Sequence, residues 1–134
     1  MHSNDTNNTN KLIHPELSHI ITGILFNAHN DPGRYAREKQ YGDLIEEKLK
    51  EIKLPYKREL EIKGTGNIID FFIDNKIILE IKAKRIITKD DYYQTQRYLQ
   101  IIGIKLGLLV NFRDKYIKPI RIVKIDTDLK HKFV

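Results

Sequence analysis

Apolar residues recur every three or four positions in three long segments of this chain, a spacing typical of amphipathic helices. The pattern predicts helices at 14–28, 35–53 and 88–102. The sequence Asn30-Asp31-Pro32-Gly33 has the composition of a turn and separates the first two helices, and Pro55 ends the second. The helical part of the chain is therefore split, with two helices at the start and one in the second half.

Other segments alternate between apolar and polar residues or are continuously apolar, which favours strands. Strands are predicted at 56–63, on both sides of a turn within 68–84, at 105–112 and at 119–125. The element order is then α-α-β-β-β-α-β-β. An antiparallel meander that leads through a crossover helix into a further strand predicts an α/β fold (α+β mixed) with a central mixed β-sheet flanked by helices.

Charged residues interrupt the two apolar runs of segment 68–84, IIDFFIDNKIILEIKAK. If the turn is a three-residue loop centred on Asn75, Asp70 lies opposite Glu80 with both side chains on one face. Lys82 points the same way, because side chains repeat every second residue along a strand. Buried charge is costly unless it is paired or holds a metal, so these three side chains are candidates for a functional site.

Composition narrows the class of protein. At 134 residues the chain has the length of one domain, predicted over 11–134, after a polar leader at 1–10 that we expect to be disordered. The net charge of +6 favours a polyanionic partner such as nucleic acid. The absence of cysteine suits a cytoplasmic protein, and no apolar run approaches the roughly 20 residues of a membrane-spanning helix, so no membrane partner is expected.

The order of elements and the charged hairpin together resemble the PD-(D/E)XK nuclease superfamily, and more narrowly the small family named for a GxxExxY motif. The resemblance extends from Gly33 to about Val123. It rests on IIDFFIDNKIILEIK, where the superfamily has an Asp on one strand and Glu-x-Lys on the next. It also rests on GRYAREKQY, which contains Glu38, and on QTQRYL, which begins with Gln94.

The resemblance implies a restriction-endonuclease-like core and a nuclease, a magnesium-dependent phosphodiesterase that hydrolyses DNA with Mg²⁺ or Mn²⁺ as cofactor. The implied catalytic side chains are Asp70, Glu80, Lys82, Glu38 and Gln94. The implied metal ligands are Asp70, Glu80, Glu38 and the main-chain carbonyl of Ile81. Lys82 would orient the attacking water or stabilise charge at phosphorus, and Gln94 would hold Lys82, a water or the phosphate in place.

Several of these residues have a second interpretation. Glu38 is compatible with a solvated position in the first turn of a helix, although its spacing from Tyr41 and Ile45 places it on the core-facing stripe. An ordinary contact with Tyr98 one turn along the helix would also explain Gln94. Three basic residues just past the hairpin are predicted nucleic-acid contacts, with a solvated surface as the alternative: Lys84, Arg85 and Lys89.

The function itself also has an alternative, a catalytically weak or inactive module that binds nucleic acid or takes part in assembly and has kept the nuclease fold. RNA remains open as a substrate beside DNA. Nuclease cores of this size often need a second subunit or a protein partner to gain a substrate, so a homodimer or such a partner is a further expectation.

Two other classes of function are not favoured. The five histidines are scattered and have no context typical of zinc ligands. The glycines at Gly64 and Gly66 lack the spacing and the following helix of a phosphate-binding loop, which argues against an ATPase.

Overall fold

The computed structural model describes residues 13–126. The predicted leader at 1–10 and the last eight residues of the predicted domain therefore lie outside the described residues. Three helices and five strands follow one another in the predicted order: α1 (Pro15–Asn30), α2 (Glu38–Glu51), β1 (Tyr56–Ile62), β2 (Asn67–Ile73), β3 (Ile77–Lys82), α3 (Lys89–Ile102), β4 (Leu106–Asn111) and β5 (Ile120–Val123).

The five strands form one mixed sheet in the order β1-β2-β3-β4-β5. The first three strands are an antiparallel meander, β3 and β4 are parallel, and β5 is antiparallel to β4. Helix α3 is the crossover that two parallel strands require. The predicted fold class, a mixed sheet flanked by helices, is confirmed.

Each face of the sheet carries its own hydrophobic core. Helices α1 and α2 pack on one face, where Leu25, Ile45 and Leu79 are fully buried. Helix α3 covers the other face, where Tyr98 and Leu99 pack against Ile78 and Leu109. The strands β3 and β4 are buried on both faces, as their nearly continuous apolar sequences predict.

The main differences from the predicted bounds lie at the helix ends. Helix α1 continues through Asn30, so the predicted turn begins later. Helix α2 begins at Glu38 and not at Tyr35, because the main-chain N–H of Arg37 donates to the side chain of Gln40 at 2.9 Å and fixes the helix start there. Tyr35 therefore lies in a loop.

The hairpin between β2 and β3 has the predicted three-residue loop. Phe71 pairs with Leu79 and Ile73 with Ile77, which is the register that the sequence predicts. Asp74 as well as Asn75 has a positive φ, at 53° and 54°, and both residue types tolerate the left-handed region better than most.

No helix within residues 13–126 is long and apolar enough to cross a membrane.

Candidate active site

Asp70 lies on β2, and Glu80 and Lys82 lie on β3. The backbone pairing of β2 with β3 runs from the turn as far as Phe71 and Leu79, so the regular ladder ends one position before Asp70 and Glu80. The site thus lies where two neighbouring strands begin to separate.

Side chains replace the missing ladder bonds. The main-chain N–H of Asp70 donates to Oε2 of Glu80 at 2.8 Å, and the main-chain N–H of Ile81 donates to Oδ2 of Asp70 at 2.8 Å. Each carboxylate therefore bonds the main chain of the opposite strand. These two bonds hold both carboxylates in fixed positions, and they leave one oxygen of each carboxylate without a hydrogen bond from residues 13–126.

Burial dominates the electrostatics of the pair. Glu80 is 2% exposed, and this burial, together with the charge of Asp70, raises the pKa of Glu80 to about 8. Burial likewise raises the pKa of Asp70 to about 6, although the N–H of Ile81 and the charge of Lys82 act in the opposite direction. Without a further cation, the two carboxylates resist holding two negative charges at once.

Lys82 is held from the α3 side of the sheet. Its Nζ donates to Oε1 of Gln94 at 3.0 Å and lies 3.9 Å from Oδ1 of Asp91. Gln94 reaches Lys82 because α3 starts close to the end of β3 and runs back across the sheet. Its partner is Lys82 and not Tyr98, and the structure thereby places Gln94 beside the charged hairpin.

Asp91 is a polar residue of this site that sequence analysis did not assign to it. Its only sequence signal was the capping pattern with Thr88, whose main-chain N–H donates to Asp91 at 2.8 Å. Asp91 also accepts a hydrogen bond from Nζ of Lys84 at 2.8 Å. Burial alone would raise the pKa of Asp91, but the bonds from Lys84 and Thr88 together outweigh it and lower the pKa.

Glu38 is the first residue of α2 and is exposed to solvent, so the prediction that it lies on the core-facing stripe is wrong. The stripe starts one turn later at Tyr41, because Glu38 lies at the end of the helix beyond the edge of the core. Glu38 nevertheless lines a cavity of about 230 Å³ together with Asp70 and Ile81. Its negative charge contributes to the raised pKa of Asp70 and of Glu80.

Glu59 lines the same cavity, and sequence analysis did not predict it as a residue of the site. It faces Asp70 in the register of β1 and β2, between the pairs Arg58–Phe71 and Leu60–Ile69, and its φ is 53°. The distortion coincides with a change of face on β2, since Ile69 belongs to the core under α3 whereas Phe71 belongs to the core under α1 and α2. No periodicity in the sequence signals such a break.

The three basic residues beyond β3 have different environments. Lys84 is tied to Asp91, and its main-chain N–H and C=O are both bonded to the side-chain amide of Asn111. Arg85 and Lys89 are exposed and form no ion pair with another residue of 13–126. The structure therefore leaves two of the three predicted phosphate contacts open to solvent next to the site.

Comparison with known families agrees with this geometry. The sequence profile described as the PD-(D/E)XK nuclease superfamily matches residues 15–123, which is most of the chain. The chain belongs to the PD-(D/E)XK nuclease superfamily. No curated protein and no solved structure matched the chain. The narrower GxxExxY assignment remains a prediction.

Members of the PD-(D/E)XK superfamily generally use divalent metals. In this chain, Asp70 and Glu80 offer hard oxygen donors of the kind that Mg²⁺ and Mn²⁺ prefer, and each has an oxygen that accepts no hydrogen bond from the described residues. A buried carboxylate oxygen without a partner is costly, and a cation would satisfy it. These two residues therefore fit a metal.

Asp70 and Glu80 supply two carboxylate ligands for such a metal ion. Within residues 13–126, no three or more His, Cys, Asp or Glu side chains are grouped so that they could hold a metal ion. Glu38 accordingly does not form a three-ligand set with Asp70 and Glu80. The arrangement suits a cation that keeps several waters, which is typical of Mg²⁺.

Proposed function

We propose that this chain is a metal-dependent nuclease that hydrolyses phosphodiester bonds in DNA. The observation that carries the proposal is the convergence of the buried carboxylate of Glu80, the partly buried carboxylate of Asp70 and an amine held in place by Gln94. Each carboxylate has an oxygen that accepts no hydrogen bond from residues 13–126. In a PD-(D/E)XK chain, Asp70, Glu80 and Lys82 are the residues at the positions of the superfamily motif.

Each residue has a role that its environment supports. Asp70 and Glu80 would bind Mg²⁺ or Mn²⁺, with the main-chain carbonyl of Ile81 as a further ligand. When bound, the divalent cation neutralises phosphate charge and lowers the pKa of a water. Glu38, exposed at the mouth of the cavity, would act through water rather than as a direct ligand.

Lys82 would orient the attacking water or stabilise the charge that develops at phosphorus. Its Nζ donates a hydrogen bond to Oε1 of Gln94 at 3.0 Å and lies 3.9 Å from Oδ1 of Asp91. Gln94 is then a positioning residue that fixes the direction of the Lys82 side chain.

Cleavage of plasmid and single-stranded DNA with Mg²⁺ or Mn²⁺ tests the proposal. We expect wild-type protein to cut in the presence of metal and not in EDTA, and Glu80→Gln to be inactive while it keeps the shape of the side chain. Glu51→Gln is the matched control, because Glu51 is an exposed carboxylate at the far end of α2. No cleavage by wild type, or equal cleavage by Glu80→Gln, would contradict the proposal.

A second candidate is a module that binds nucleic acid but hydrolyses it weakly or not at all. Arg85 and Lys89, which are exposed and form no ion pair within residues 13–126, are the observation that favours it, because such residues bind phosphate without any metal. Salt-dependent retention of DNA together with no metal-dependent heat of binding would support this candidate over the enzyme.

A further inference from the structure

Tyr35 is an exposed aromatic residue in the loop that leads into α2, with 74% of its surface accessible. The guanidinium carbon of Arg34 lies 5.0 Å from the centre of its ring, and that of Arg113 lies 5.6 Å away. With so much of the side chain exposed, most of the ring surface is open to solvent. Tyr35, Arg34 and Arg113 are called the tyrosine clamp below.

The two arginines fix each other. Nε of Arg34 donates to the main-chain carbonyl of Arg113 at 2.9 Å, and Nε of Arg113 donates to the carbonyl of Arg34 at 3.2 Å. These reciprocal bonds join the loop before α2 to the loop after β4. The ring of Tyr35 therefore lies on a platform that is bound at two points far apart in the sequence, which reduces the entropy lost when a ligand stacks on it.

The tyrosine clamp adjoins the candidate active site. Nη2 of Arg113 donates to the carbonyl of Ala83 at 3.3 Å, and Ala83 directly follows Lys82. Phe112, which directly precedes Arg113, donates its main-chain N–H to the carbonyl of Lys82 at 2.8 Å. On the other side, Tyr35 precedes Glu38 by three positions.

The charge of the tyrosine clamp is not neutralised within residues 13–126. Neither Arg34 nor Arg113 forms an ion pair with a carboxylate there. Among the described residues, the guanidinium of Arg34 donates a hydrogen bond through Nε alone, so its two terminal nitrogens have no acceptor in that part of the chain. Two guanidiniums that have no carboxylate partner among residues 13–126, next to a largely exposed aromatic ring, match a ligand that carries both negative charge and flat rings.

Nucleic acid has both properties, but base pairing decides which form fits. In a duplex the faces of the bases are stacked on each other, whereas an unpaired base offers its face to an aromatic side chain. Arginine groups beside such a ring contact the phosphates of the same strand. If the ring of Tyr35 only shielded the two arginines from solvent, it would make the same contacts, but its removal would not change the affinity for DNA.

We propose that the tyrosine clamp binds an unpaired, single-stranded segment of DNA next to the scissile position, with one base stacked on Tyr35 and its phosphates on Arg34 and Arg113. The choice of ligand rests on the proposed nuclease function. The substrate is then DNA with a single-stranded or frayed stretch, and a continuous duplex fits the site less well.

Fluorescence anisotropy with a labelled oligonucleotide, single-stranded and as the matched duplex, tests this inference in EDTA, where no hydrolysis is required. Tyr35→Ala should weaken single-strand binding about tenfold and duplex binding less than about twofold, since a base–aromatic stack contributes roughly that factor or more. Tyr35→Phe should bind like wild type, because the hydroxyl of Tyr35 has no partner within the described range. Tyr35→Leu, which keeps an apolar side chain but loses the ring, should behave like Tyr35→Ala.

Tyr116→Ala is the matched control. Tyr116 is 80% exposed and has one cation, Nζ of Lys115, at 5.4 Å from its ring, whereas Tyr35 has two arginines near its ring. An equal loss in Tyr116→Ala, an equal loss on duplex and single strand, or no loss in Tyr35→Ala would overturn the inference. Because the binding is measured without metal, this failure is distinct from a failure of metal-dependent cleavage.

Discussion

The carboxylates of Asp70 and Glu80 are locked across the hairpin, each by a 2.8 Å hydrogen bond from a main-chain N–H on the opposite strand. The bonds fix the buried side chain of Glu80 and the partly buried side chain of Asp70 side by side, although their charges repel each other. Such an arrangement is unfavourable by itself, and it becomes favourable when a cation lies between the charges. The predictions below follow from this relationship and from the contacts that surround it.

The stability of the metal-free protein should fall as the pH rises. The pKa of Asp70 is raised from 3.8 to about 6, and that of Glu80 from 4.5 to about 8. The folded protein therefore holds these protons more tightly than the unfolded chain. The contribution of these two groups to the free energy of unfolding should be highest below about pH 4. It should decrease by on the order of a few kcal/mol as the pH rises to about 8.

Urea denaturation in EDTA across this pH range measures the effect. Glu80→Gln should remove most of the decrease between about pH 6 and pH 8, because the group with the higher pKa is then absent. A free energy of unfolding that rises through this window in wild type would show that the pair is stabilised as two anions.

Asp70→Asn should stabilise the protein in the absence of metal. The carbonyl oxygen of the asparagine still accepts the hydrogen bond from Ile81, whereas the repulsion with Glu80 is lost. At a pH above about 8, where both carboxylates are ionised, we expect the melting temperature in EDTA to rise by on the order of 5 °C. If Asp70 were a structural partner of Lys82, the substitution would instead remove a counter-charge of the partly buried ammonium and leave it with Asp91 at 3.9 Å, and Asp70→Asn would melt well below wild type.

Gln94→Ala should slow cleavage without weakening substrate binding. The substitution removes the oxygen that accepts the hydrogen bond from Lys82, so the direction of the Lys82 side chain is no longer fixed by Gln94. We expect kcat to fall about 10- to 100-fold with little change in KM, as is typical when a supporting contact of a metal site is lost. Gln100→Ala is the control on the same helix, because Gln100 bonds Gln96 and Ile125 instead. Similar losses in both variants would indicate a general effect on α3.

Two glycines should respond to alanine in opposite directions. A Cβ at Gly107 would lie 2.8 Å from Cγ2 of Thr95, a fully buried residue of α3, so Gly107→Ala should push α3 away from β4 and destabilise the fold by about 1–3 kcal/mol. Gly23 lies within α1 with no neighbouring atom within 4 Å, so Gly23→Ala should stabilise the fold by up to about 1 kcal/mol. Urea denaturation of both variants checks the pair. A neutral Gly107→Ala would show that α3 does not pack this closely on β4.

The hairpin was predictable from sequence because its determinants are local. The alternation of β2 and the turn residues Asp74 and Asn75 together fix the register, and the register brings Asp70 next to Glu80. The crossover helix was predictable for the same reason, since Thr88 and Asp91 mark its start within four residues.

The rest of the site depends on contacts between segments that are far apart in the chain. The left-handed conformation of Glu59 arises where β1 and β2 change face, and no sequence period records that change. Likewise, the sequence pattern predicts that Tyr35 begins a helix, whereas the structure places it in a loop. Its contact with Arg113 joins residues far apart in the chain, so it leaves no local signal in the sequence. The solvent exposure of Glu38 follows from the later start of α2.

The claim at the centre of this account is that Asp70 and Glu80 bind a divalent cation. Isothermal titration of Mn²⁺ into wild type, Asp70→Asn, Glu80→Gln and the control Glu51→Gln tests it directly at a pH above about 8, where both carboxylates are ionised. The account predicts saturable binding to wild type and Glu51→Gln, and none to Asp70→Asn or Glu80→Gln. No saturable heat with wild type, or equal binding by all four proteins, would contradict it.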